Sequence, residues 1–200
     1  MKESAKKSEN QGAFTSSPLS LFTWPQRLLG AAALAFYAVH AGTWLRRGVP
    51  GALLWACHLG CLLVGIAVLA KRPALNGVGV LWLVLGNLLW AVDLASGGEF
   101  IITSPLTHVG GLAVGIGYAR RAGFPRGCWL AALAGIAALH LLSGRLTPPA
   151  ENINVAFRVH PSLQGIVPGF LEFRILMLAG SAALFYAAER ALRKMVKSKK

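Results

Sequence analysis

Apolar residues run along this chain in long unbroken blocks, not in the alternation of half-buried helices or strands, and each block stops at charges or a Pro/Gly turn. The first block runs from about Pro25 to Trp44 and stops at Arg46-Arg47. The second opens with Pro50-Gly51 and ends at Lys71-Arg72-Pro73. The third covers Leu75–Ala95 and the fourth Phe100–Ala119, with Ser96-Gly97-Gly98-Glu99 between them and Arg120-Arg121 behind. The fifth covers Gly127–Ser143, and the sixth runs from Pro168 to Ala188. About 20 apolar residues cross the roughly 30 Å of a bilayer's hydrocarbon as a helix. The pattern therefore predicts an all-α polytopic membrane protein of six transmembrane helices. Its expected parts are a disordered polar arm over 1–23, a six-helix domain over 24–190 and a basic tail over 191–200.

Composition strengthens this picture. Of 200 residues, 55% are hydrophobic and only 14% charged, too few charges to cover a soluble surface. The formal charge of +13 collects at chain ends and connections. With the N-terminus inside, fifteen Lys and Arg face the cytoplasm, four face out, and Arg174 falls within the sixth block. That asymmetry places both termini in the cytoplasm. It predicts a multi-pass protein of the cell membrane, which in a bacterium is the inner membrane. Val39-His40-Ala41 has signal-peptidase spacing, but the long polar arm before it favours an uncleaved anchor. The expected partners are membrane lipids, with anionic headgroups under the basic tail. No aromatic residues interleave with that charge, so nucleic acid is not expected.

Ionisable side chains inside spans are costly and mark candidate sites. At 1.5 Å per residue, His58 and His108 each lie about 12 Å below the outer edge. His40 and Asp93 lie about 9 Å down, and His140 about 7 Å down. Five blocks thus bring one titratable group each to the outer half of the membrane. Asn87 and the pair Glu172 and Arg174 add polarity. The longest connection, Arg145–Val167, carries Asn152, Asn154, Arg158 and His160 above this layer, where long loops act as lids or binding segments. Cys57, Cys61 and Cys128 lie in apolar stretches and form no disulfide framework.

Several motifs bear on chemistry. His108-Val109-Gly110-Gly111 is shared with rhomboid proteases, but no Gly-x-Ser precedes it. Walker, Rossmann and Cys-x-x-Cys patterns are absent. Cys57-His58-Leu59-Gly60-Cys61, then Leu81-Trp82 through Asp93, His108, and finally Leu141-Leu142-Ser143-Gly144 with Asn152–Phe157, follow one another in an order that resembles the YwaF-like bacterial membrane proteins. Those are related to transmembrane phospholipid acyltransferases and, more distantly, to androgen-induced fatty-ester hydrolases. The resemblance implies six helices and acyl chemistry on a lipid. His58 and His108 match the family's histidines, whereas Gly60 stands at the family cysteine and Cys61 follows one place later.

Three functions remain open on the sequence. In lipid acyl hydrolysis or transfer, His108 is the base, Asp93 or His58 orients it, and Cys61, Thr103 or Thr107 is the nucleophile. Asn87, Asn152, Asn154, Arg158 and His140 are then the substrate-binding candidates. This scheme needs no cofactor. The second is haem or a divalent metal held by His58 and His108, with His40 and Asp93 available. The third is a non-enzymatic assembly or transport-associated protein whose histidines join helices.

Overall fold

The computed structural model describes residues 24–167 and 169–197, so the polar arm expected over 1–23 lies outside the described residues. Those described form no strand; they are helices joined by short turns. The helices are α1 (Trp24–Arg46), α2 (Ala56–Leu69), α3 (Pro73–Ala95), α4 (Gly111–Ala122), α5 (Cys128–Leu146) and α6 (Phe170–Lys197).

Among the described residues four segments are long and apolar enough to cross a membrane: Pro25–Arg46, Pro73–Ala95, Cys128–Leu146 and Phe170–Val196. Only 22%, 39%, 17% and 17% of their most apolar windows are buried, so most of that apolar surface faces outward, the reverse of a water-soluble core. These features mark a multi-pass membrane protein. The remaining two blocks are not simple long helices. The second begins as a 3-10 turn, Pro50–Leu54, and becomes α2 only after the extended residue Trp55. The fourth enters α4 through a π turn, Leu106–Gly110.

Helix α2 sits at the centre, against α1, α3 and α4. Two glycines bring it onto α3. A Cβ at Gly60 would stand 3.0 Å from the Gly79 carbonyl, and one at Gly79 would stand 2.8 Å from the Gly60 carbonyl. Backbone thus meets backbone, the geometry that small residues permit between membrane helices. Gly111 meets the Cys61 thiol in the same way, so the Gly111-x-x-x-Gly115 face packs within the chain. Cys61, Val64, Val80, Leu81, Leu83 and Phe185 form the buried centre.

At the opposite end from the histidines, Glu189 of α6 is buried and accepts the Gly127 and Trp129 N–H groups, capping α5. Helix α6 continues through Lys197, so the described part of the basic end, residues 191–197, is helical.

Candidate functional site

The 3-10 turn and the loop after α5 build the upper part of the site together. Trp55 leaves helical geometry, which frees the Leu54 carbonyl and the Ala56 N–H. The Asn154 side chain satisfies both: its amide donates to Leu54 and to Ser143 Oγ, and its carbonyl accepts from Ala56. Asn152 folds the loop by accepting the Phe157 and Arg158 N–H groups. Asn152, Asn154 and Val155 have φ of 45°, 51° and 50°. In the β-branched Val155 this is a strained conformation, held by its surroundings.

Beneath this loop lies a cavity of about 340 Å³. All five histidines of the chain line it: His40 from α1, His58 from α2, His108 from the π turn, His140 from α5 and His160 from the loop. Donor atoms of Cys57, His58 and His108 lie within 4.8 Å of one another, a cluster that can hold a metal ion. His40 Nε2 is 2.9 Å from His58 Nε2.

Hydrogen-bond partners assign the tautomers of this pair. His58 Nδ1 lies 2.6 Å from the Ala52 carbonyl, which can only accept, so that nitrogen carries the proton and Nε2 carries the lone pair. The Val39 carbonyl accepts from the Thr43 hydroxyl, and Thr43 accepts from Thr103. Thr103 must then accept from His40 Nδ1–H, 2.7 Å away. His40 Nε2 is left with its lone pair, toward which the Trp44 indole N–H donates from 3.1 Å. His40 Nε2 thus accepts from Trp44, and His58 Nε2, 2.9 Å away, presents its lone pair to the same space.

His108 stacks on Trp90 with ring centroids 4.8 Å apart, and its buried Nδ1 has no hydrogen-bond partner among the described residues. The π turn brings it here; such one-turn irregularities often accompany functional sites. Asn87 steadies the turn by donating to the His108 carbonyl.

Of the sequence-based candidates, His108, His58, Asp93, His140 and Asn154 line the cavity. Asp93 pairs with His160 at 3.5 Å. The Cys61 thiol lies within the helix packing, 3.3 Å from the Ala33 carbonyl. Asn87 and Asn152 hold backbone, and the Arg158 guanidinium donates to the Ala150 carbonyl. Cys57, Trp44 and Trp90 were not among the sequence-based site candidates. The spacing His40-x-x-x-Trp44 was the available signal, since residues four apart share a helix face.

At the rim Arg47 pairs with Glu99. The Arg47 hydrogen bond holds the Glu99 carboxyl below the usual carboxylate range, so both are charged at neutral pH. Compared with protein-family models, curated proteins and solved structures, the chain matches none.

Proposed function

We propose that this is a metal-binding membrane protein that holds one zinc or copper ion among Cys57, His58 and His108. The donor atoms of Cys57, His58 and His108, all within 4.8 Å of one another, carry this reading. Ligand atoms about 2.0–2.3 Å from one ion stand at most about 4.6 Å apart, so a small adjustment lets the three share it. Of the three, His108 brings the nitrogen without a partner and Cys57 the adjacent thiol. Mixed imidazole and thiolate ligands suit zinc and copper rather than magnesium or calcium. The Ala52 carbonyl binds the opposite nitrogen of His58 and orients its ring, the usual support of a ligating histidine. The cavity gives a bound ion access to a small ligand, on which it would act as a Lewis acid. The test is metal content: about one zinc or copper per purified chain, absent from a folded His58→Ala variant.

The chain is further read as crossing the cell membrane six times with both termini cytoplasmic. The 3-10 turn rises about 2 Å per residue and α2 about 1.5 Å, so Pro50–Leu69 extends about 30 Å. The basic end of α6 would then rest on anionic headgroups.

A second reading, lipid acyl hydrolysis or transfer, draws on Ser104 and His108, four residues apart and both lining the cavity. Ser104 Oγ would add to an ester carbonyl as its proton passes to His108. The resemblance to YwaF-like proteins supports it, and a folded protein without metal would favour it.

A further inference from the structure

The cavity is also lined by a cation for which the described residues supply no counter-ion. Arg174, on α6, lines the cavity and lies over the Phe170 ring at 5.7 Å. His140 stacks against the same ring from α5, with centroids 6.5 Å apart. Two carboxylates line the cavity, and both are engaged elsewhere: Asp93 with His160, and Glu99 with Arg47. Among the described residues no carboxylate lies within ion-pair distance of Arg174. A charge at membrane depth costs a few kcal/mol and is found paired or facing a polar cavity. A guanidinium also offers forked donors that match the two oxygens of a carboxylate or phosphate.

We propose that the cavity binds an oxyanion, a carboxylate or phosphate group, on Arg174, in the same cavity that the histidine–cysteine cluster lines. Leu85, Leu89, Ile136 and Met177 line the space beside it, so an anion bearing a short apolar chain also fits. The proposal stands on Arg174 and goes beyond the metal reading. An ion on the histidines would add a second positive charge to the same cavity.

Equilibrium binding to the full chain in maltoside micelles tests this, with inorganic phosphate, dodecyl phosphate and dodecanol as probes. At least one of the two phosphates should bind the wild type, roughly tenfold weaker in Arg174→Gln, as expected for losing charge-assisted hydrogen bonds. Dodecanol should not compete. Arg174→Lys keeps the charge but loses the fork and should fall between; it decides the matter if the glutamine variant does not fold. Equal binding of the two phosphates identifies a free anion, and binding of dodecyl phosphate alone identifies an amphiphile. Competition by dodecanol equal to that of dodecyl phosphate, unchanged binding in both variants, or no phosphate binding at all would overturn the proposal. The same measurement in His58→Ala separates it from the metal reading, since the Arg174 effect should persist there.

Discussion

An imidazole has one lone pair in its neutral form, and whatever takes the proton on the other nitrogen decides where that lone pair points. In His40 the decision passes through Thr103 and Thr43 to the Val39 carbonyl; in His58 the Ala52 carbonyl makes it directly. His108→Ala, which removes one of the three donors, should weaken zinc binding by more than about tenfold, beyond the lower end of what loss of an orienting partner alone costs. The measurement is a zinc titration of chelator-stripped protein against a competing chelator; unchanged affinity would remove His108 from the ligand set. His58 and His108 were legible as site residues because their matched depth follows from helical rise alone. Cys57 was not. Its place in the cluster depends on how α2 is rotated about its axis, and helices apolar on nearly every side carry no stripe that fixes rotation.

Breaks in regular helix, rather than the helices themselves, make the site. Proline at Pro50 suits a helix first turn, and a single helix from there to Lys71 was the natural expectation. The chain departs from it because Trp55 is extended and Asn154 takes over the two backbone groups that the break exposes. Nothing near Trp55 in sequence announces a partner almost a hundred residues away. Asn154→Ala would leave a partly buried N–H and carbonyl without partners. It should destabilise the protein on the order of 3 kcal/mol, since each orphaned group costs about 1–3. Thermal melting in detergent would read this as a lowered midpoint, while Arg158→Ala, on the exposed part of the same loop, should change it little. The π turn at His108 is equally silent in sequence, although the Gly110-Gly111 pair beside it hints at close packing, and Gly110 lies against the Phe36 ring.

The whole molecule reverses the soluble arrangement: lipid-facing leucines and isoleucines outside, and polar groups gathered at one end. That much was legible, because block length and charge asymmetry are properties of composition along the chain and need no tertiary detail. The cavity itself was legible only as a layer of depths. For orientation, a reporter fused after Lys200 should be active only in its cytoplasmic form, and activity of the exported form would overturn the six-span topology. The metal is the central claim, and elemental analysis of the detergent-purified chain tests it most directly. About one equivalent of zinc or copper is predicted in the wild type, lost in His58→Ala and His108→Ala variants that elute as folded protein. A folded wild type free of both metals, and unable to take up either, would contradict it.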